Sequence, residues 1–383
     1  MDKNIKLCFI SHSAGIAGAE KAFPKLLQGL QNKNLDILVL LPDHGPLEEV
    51  LSEKNIKYKV IRYSRWINND KSLLNRIKRT IKNLLMIFPI INFLYKWKCN
   101  IVYTNTSTII SGAIAAKILN IPHIWHFREF GEEDYGYYYD LGPKLSKSIT
   151  KYLADQFLAN SFAVRNKYSE FIPDDKINVL YESYFEVNTT NINEHPEIKS
   201  NFFNCIMIGT LHEAKGHFDS LKALAAIVQR YSNINLYIVG TGDNNYKNNL
   251  IEFISTNRLV DNIVFTGHLN YPGHLLSKCD CLLMCSRNEA YGLVTLEAMK
   301  LGIPVIGTNS GGTAELIDNK KTGLLYEPGN IKELTEKLEI LIKDKDYRLL
   351  LGKNARNKAI KYFDPQNYID STYDIILKVI NNF

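Results

Sequence analysis

The stretch Cys281-Leu-Leu-Met-Cys285-Ser286-Arg-Asn-Glu289-Ala-Tyr-Gly292-Leu-Val-Thr-Leu-Glu297-Ala-Met-Lys-Leu-Gly302-Ile-Pro304 decides the fold. Residues 281–285 are apolar and read as a buried strand. A glycine-containing turn follows, then a helical segment around residues 297–300, and residues 304–307 read as the next strand. This is a βαβ unit, whose strands lie parallel and whose helix covers one face. The turn lies beyond the carboxyl end of a strand, where open α/β sheets bind ligands. Two glutamates eight positions apart flank it. Glu289 follows the strand, and Glu297 opens or lies within the helix. Gly292 permits close backbone approach, and the amides around it suit sugar hydroxyls. A carboxylate such as Glu297 suits a ribose diol.

The same alternation extends in both directions. In the first half, strands are expected at residues 5–10, 36–41, 57–61, 101–104, 123–127 and 156–159. Helices are expected between them at 19–32, 46–54, 71–97, 108–119 and 144–152. A polar, aperiodic segment at 188–200 reads as a linker. A second series follows, with strands at 204–208, 235–239, 263–266, 281–285 and 304–307. Its main helices fall at 218–231, 246–257, 331–343 and 346–362. Pro365 ends that series, because proline cannot continue a helix. Beyond it Ile369, Tyr373, Ile376, Leu377 and Ile380 recur at helical spacing. The expected architecture is α/β, with two doubly wound, Rossmann-like domains facing a central cleft. They span residues 1–187 and 201–363, with a terminal helix at 365–383.

Bulk properties agree. A chain of 383 residues fits two α/β domains. Hydrophobic residues make up 45% and charged residues 22%, as in ordinary globular proteins. The net charge of +6 is mildly basic and demands no nucleic acid. The six cysteines lack CxxC or zinc-like spacing and read as reduced core residues. No secretory signal is visible, and no run approaches the roughly 18 apolar residues of a membrane span. The expected location is the cytoplasm.

Three further motifs follow strands. Gly311-Gly312-Thr313-Ala314-Glu315 places paired glycines at a helix start, which suits a phosphate or serves as a tight turn with Thr313 as N-cap. Gly209-Thr210-Leu-His-Glu-Ala-Lys215-Gly216 sets a lysine where it can meet a diphosphate as a point charge. In the first half, Ser11-His-Ser-Ala-Gly15-Ile-Ala-Gly18-Ala-Glu20 opens a helix with small residues, but it is not the GxGxxG of dinucleotide sites. His123-Ile-Trp-His126-Phe-Arg128-Glu129 places His126 at a strand end.

Together these residues resemble retaining glycosyltransferase family 4, the glycosyl transferases group 1 with the GT-B fold. The likeness runs over nearly the whole chain. Glu289 to Glu297 resembles the family's Glu-x7-Glu motif. Gly311-Gly312-x-x-Glu315 and Lys215-Gly216 fall in the family's order and spacing. Gly18-Ala19-Glu20 resembles the end of its amino-terminal Gly-Gly-x-Glu loop. The resemblance implies a cytoplasmic hexosyltransferase using a nucleotide-sugar, most commonly a UDP-sugar, with no metal and no cofactor. Lys215 would grip the diphosphate, Glu297 the ribose, and Glu289 with the amides of Ala290, Tyr291, Gly292 and Leu293 the sugar. Gly15 and Gly18 would approach the donor from the other domain. His126 would lie near the anomeric carbon, and the terminal helix would cross back onto the first domain. Thr210 stands where the family often has arginine, with His212 or Arg287 as substitutes. Ala17 stands where a glycine is common.

The acceptor is expected to be a glycan or lipid-linked saccharide of bacterial surface polysaccharide synthesis. Arg128, Glu129 and Tyr137 are candidates to meet it, the last within the tyrosine-rich loop at 132–139. Lys71, Arg76, Lys78, Arg79 and Lys82 precede an apolar run at 84–95. That stretch reads first as a helix packed on the domain with a charged outer face, and second as a surface for peripheral inner-membrane association. Two other functions remain open: a nucleotide-sugar epimerase of the same fold, and an inactive scaffold, which Thr210 favours. Asp344-Lys345-Asp346 has the spacing of a metal-binding carboxylate pair but lies between two expected helices, so no metal ligands are assigned.

Overall fold

The computed structural model describes residues 5–16, 18–131, 136–183, 187, 189 and 196–383. It divides into two compact units, Met1–Phe185 with Pro365–Phe383 and Glu186–Asp364.

The strands of the first unit are β1 (Ile5–Ile10), β2 (Leu35–Leu41), β3 (Lys57–Val60), β4 (Ile67–Asn68), β5 (Ile101–Asn105), β6 (His123–Phe127), β7 (Tyr138–Tyr139), β8 (Gln156–Ala159) and β9 (Ile177–Val179). Seven of them form one parallel sheet in the order β3-β2-β1-β5-β6-β8-β9, while β4 and β7 pair in a small antiparallel ladder. Side chains alternate between two cores. On β1, Leu7 and Phe9 enter one, and Cys8 and Ile10 the other. Both faces are covered, so the central strands are apolar along their length.

The carboxyl-terminal helix Pro365–Asn381 belongs to this unit. Tyr368, Ile369, Ile376 and Val379 are buried in the same core as the helix residues Phe23, Leu26 and Leu30. Gly29 makes room for it: a Cβ there would lie 2.3 Å from the Cδ1 of Ile369.

The second unit contains β10 (Phe203–Ile208), β11 (Ile234–Val239), β12 (Ile263–Gly267), β13 (Cys281–Met284), β14 (Val305–Thr308) and β15 (Leu324–Tyr326). They form a parallel sheet in the order β12-β11-β10-β13-β14-β15. Cys205, Cys281 and Cys285 pack into the core on one face, beside Leu221, Leu224 and Leu338. All six thiols are buried and unbridged. Burial pushes the Cys285 thiol up to about 12, so it stays protonated and inert.

Both sheets are doubly wound, as the strand pattern predicts. The edge strands β9 and β15 and the helices Phe162–Ser169 and Gly273–Lys278 have no counterpart in that pattern. Each is too short to show a period. Most of the expected linker, residues 188 and 190–195, lies outside the described residues, as do Ala17 and residues 132–135.

Candidate active site

In the second sheet, the chain runs from β10 to β11 and β12 on one side and then returns to β13 on the other side of β10. Loops beyond the carboxyl ends of strands at such a switch point diverge and leave space for a ligand. The loop after β10 carries Lys215 and the loop after β13 carries Glu289. The Lys215 Nζ lies 2.8 Å from Glu289 Oε2, joining two motifs 74 residues apart.

Two glycines make this convergence sterically feasible. Gly216 has φ of 70°, and a Cβ on it would lie 2.1 Å from the carbonyl oxygen of Cys285. Gly292 has φ of 90° and caps the helix Leu293–Leu301. Gly216 likewise caps the helix His217–Ile227. Neither cap has a side chain to satisfy the first amides of its helix, which have no partner within the helix. Both helices therefore present amides and the positive end of their dipole beside the Lys215–Glu289 pair. Glu297 lies in the second turn of Leu293–Leu301 and is buried.

The Gly311-Gly312 pair buttresses this loop. The amide of Gly312 donates to the Glu289 carbonyl at 2.7 Å. A Cβ on Gly312 would lie 2.5 Å from the Ala290 carbonyl oxygen and from Tyr291 Cα. The Gly312 amide is thus spent on protein. Thr313 is inside the helix Gly311–Leu316 rather than at its N-cap, which is Ser310. The Ser310 hydroxyl donates to the Arg287 carbonyl at 2.6 Å, and Thr308 to that of Ser286 at 2.6 Å. Gly312→Ala should displace residues 289–291, costing about 1–3 kcal/mol of stability as overpacking does. Activity should fall by more than stability accounts for; a melting curve and an activity assay on one preparation check both.

Thr210 is exposed on the β10 loop. Of the two residues considered in place of the missing arginine, His212 accepts the Ala214 amide on Nδ1 at 3.2 Å, so that nitrogen faces its own turn. Arg287 is exposed and its amide donates to the Ala214 carbonyl at 3.3 Å, linking the two loops. A concavity lined by Phe203, Asp280, Lys345 and Arg348 lies at the opposite, amino-terminal edge of the sheet and holds none of these motifs. Asp344 caps the helix Lys345–Tyr362 by accepting the Tyr347 amide at 2.8 Å, so the Asp344-Lys345-Asp346 spacing marks a helix start.

In the first unit, the loop after β1 also leaves a switch point. There the Gly15 amide donates to Ser13 Oγ at 2.9 Å, within the loop. Gly18 begins the helix Gly18–Gln31, and nothing is described of the Glu20 side chain.

His126 is fully buried at the end of β6. Its Nδ1 shares a hydrogen bond of 2.7 Å with the Tyr103 hydroxyl. Burial, then the nearby Arg128 charge, holds its pKa well below the usual value, so the ring is neutral. Its Nε2 has no protein partner among the described residues. Directly across the ladder on β5 is Asn105, whose buried amide oxygen and nitrogen both lack one as well. The next residue, Thr106, has φ of 90°, strained for a β-branched side chain. The sequence alone does not single out Asn105. Its signal there is a polar residue closing an otherwise apolar strand.

The acceptor candidates fare differently. Arg128 is not turned to a ligand. Its guanidinium is buried, 2.7 Å from Glu182 Oε2 and 3.3 Å from the Tyr368 hydroxyl of the terminal helix. Glu129 is also engaged, accepting from the Ser107 amide and from its hydroxyl at 2.6 Å. Tyr137 is half-buried, while Tyr138 and Tyr139 are fixed in the ladder with β4.

Two other histidines set the acid limit of the fold. Burial pushes His123 down to about 3 and His217 to about 4. The folded state resists protonating them, so this stability is complete above the ordinary histidine pKa of about 6.5 and is lost as pH falls toward 4. Urea midpoints should hold from about pH 8 to 7 and decline from about 6.5 to 5, above the range of ordinary carboxylates.

Residues 188–358 match the family described as Glycosyl transferases group 1. That region, somewhat under half of the chain, is similar to group 1 glycosyltransferases. It is 25% identical over 372 residues to the capsular polysaccharide biosynthesis glycosyltransferase CapM of Staphylococcus aureus, covering 92% of this chain and 93% of that one. It is 24% identical over 397 residues to the UDP-Gal:α-D-GlcNAc-diphosphoundecaprenol α-1,3-galactosyltransferase of Escherichia coli, covering 99% and 98%. Among solved structures it superposes on Anabaena HepE in complex with UDP-glucose with a TM-score of 0.77 at 22% identity, covering 98% and 99%. A glycosyltransferase of Rickettsia africae gives 0.80 at 20% identity over the full length of both chains. These likenesses establish the GT-B fold. The matched region contains Lys215, Glu289, Glu297 and the Gly311-Gly312 buttress.

Proposed function

We propose that the chain is a group 1 glycosyltransferase that moves a hexose from a UDP-sugar to a glycan or lipid-linked saccharide of surface polysaccharide synthesis, with retention of configuration and without a bound metal. The observation that carries this reading is the convergence of Lys215, Glu289 and two bare helix N-termini at the switch point of the second sheet. The donor is assigned to the Glu186–Asp364 unit and the acceptor to the other. HepE complexes with UDP and UDP-glucose and the UDP-Gal-using relative favour uridine.

Each group has a distinct task. Lys215 and the amides of the helix His217–Ile227 meet the diphosphate. Glu297 accepts from the ribose hydroxyls. Glu289, fixed by Lys215 and Gly312, accepts from sugar hydroxyls beside the Tyr291-Gly292-Leu293 backbone. Asn105 and His126 supply the polar atoms that lack protein partners; a buried unsatisfied group costs about 1–3 kcal/mol, which a hydroxyl bonded there relieves.

In the reaction, the bond from the anomeric carbon to the phosphate oxygen breaks and that oxygen keeps the electron pair. Charge grows on the diphosphate, where Lys215 and the helix amides stabilise it. The acceptor oxygen bonds the anomeric carbon on the same face, and its proton passes to the departing phosphate oxygen. A proton NMR spectrum of the product tests this reading: an α-linked donor should give an α-linked product at an unchanged rate in EDTA. A β-linked product, or activity lost in EDTA and restored by a divalent cation, would overturn it.

A further inference from the structure

The helix Leu73–Trp97 of the first unit has the charged outer face expected of it only in part: Lys78, Lys82 and Lys96 are exposed. It packs inward through Ile87, Ile90 and Leu94. Arg76 and Arg79, read from sequence as outward charges, turn toward the protein. Both Arg76 Nε and Nη2 donate to the Asp140 carbonyl, at 3.0 and 2.8 Å, and Arg79 Nε donates to the Asp140 carboxylate at 3.0 Å. Beside the exposed lysines the outer surface carries an apolar stripe. At 3.6 residues per turn, Leu73, Ile77, Ile81, Leu84, Phe88 and Tyr95 fall within a sector of about 80°, running about 33 Å along the axis. Phe88 is 70% exposed and Tyr95 72%.

We propose that this stripe docks the enzyme on an anionic lipid bilayer, with the helix lying in the plane of the interface. Charge identifies the partner. The helix contains Arg76, Lys78, Arg79, Lys82 and Lys96 and no aspartate or glutamate. Lys78 and Lys96 begin about 60° beyond the edge of that sector and Lys82 lies further round, all three exposed. An apolar stripe bordered by lysines is the pattern of helices that bury one face among acyl chains and set cations against anionic headgroups. No helix among the described residues is long and apolar enough to cross a membrane, so docking of this kind is peripheral. The arginine clamp on Asp140 joins the helix to the ladder of β4 and β7, beside Tyr138 and Tyr139. This inference needs no donor and stands apart from the transfer reaction.

Sedimentation of the full-length protein with vesicles tests it. With equal parts phosphatidylglycerol and phosphatidylcholine the protein should pellet; with phosphatidylcholine alone binding should fall at least tenfold. Raising salt toward 1 M shortens the screening length to about 3 Å and should weaken the anionic binding. Leu84→Glu with Phe88→Glu should abolish pelleting while the melting temperature stays unchanged, since both side chains are exposed. Lys78→Glu with Lys82→Glu should lower it at least tenfold. Wild-type protein that stays in the supernatant with anionic vesicles would overturn the proposal. So would a wild-type dimer, dissociated by Leu84→Glu with Phe88→Glu, that does not bind vesicles: the stripe would then be covered by a second copy.

Discussion

Lys215→Ala should lower kcat/KM for sugar transfer by about 10²–10³-fold, the loss found when one preorganised donor to a developing oxyanion is removed, about 2.7–4 kcal/mol. The fold should hardly register the change. The Lys215–Glu289 pair is only partly buried, at 22% and 17% side-chain exposure, so as an ion pair it contributes at most about 1 kcal/mol. The two magnitudes separate a catalytic lysine from a structural one. A kcat/KM reduced a hundredfold with an unchanged melting temperature supports the first. Equal losses in stability and activity would show that Lys215 only holds the Glu289 loop. Lys215→Arg should recover part of the rate, because it keeps the charge but replaces a compact ammonium with a planar fork.

The second large effect lies away from the chemistry. Arg128→Met should destabilise the first unit by about 3–5 kcal/mol, because it leaves the Glu182 carboxylate buried without its cation. Burial raises the Glu182 pKa and Arg128 lowers it. Removing Arg128 leaves burial, the largest effect, and the Glu129 charge raising it against only the Asn160 hydrogen bond. The folded variant then holds Glu182 protonated, whereas the unfolded chain releases the proton above about pH 4.3. The penalty therefore grows as pH rises, and the deficit against wild type should be smaller near pH 5 than near pH 8. Replacing both partners with apolar residues, Arg128→Met with Glu182→Leu, should recover most of the loss. Denaturant midpoints at the two pH values check the sign. A deficit independent of pH would mean that Glu182 stays ionised in the variant.

The pair also shows where reading a sequence ends. Arg128 follows His126 at a strand end, and by position alone it is as good a site residue as its neighbour. What turns it inward is Glu182, 54 residues on, and Tyr368, 240 residues on, in a terminal helix whose docking no local pattern encodes. The Gly311-Gly312 pair is similar. Paired glycines at a helix start suit a phosphate, and only the closeness of the Glu289 backbone shows that they serve packing. The strands and long helices were legible because strand alternation and helical recurrence are properties of neighbouring residues. The meeting of Lys215 with Glu289 was legible as far as topology carries it: both follow parallel strands, and parallel strands end on one edge. Asn105 was not, since a polar residue closing a strand becomes informative only once its burial and missing partners are seen. The exposed stripe on Leu73–Trp97 was hidden by its arginines, which look like an outer face until Asp140 is found to hold them.

The most direct test of the account is release of nucleotide diphosphate from a panel of UDP-, GDP-, ADP- and dTDP-sugars, in EDTA, by wild type and Glu289→Ala side by side. The account predicts UDP release from one UDP-sugar by the wild type and its loss in the variant. No release from any donor even with membrane extract supplied as acceptor, or equal release by both proteins, would contradict it.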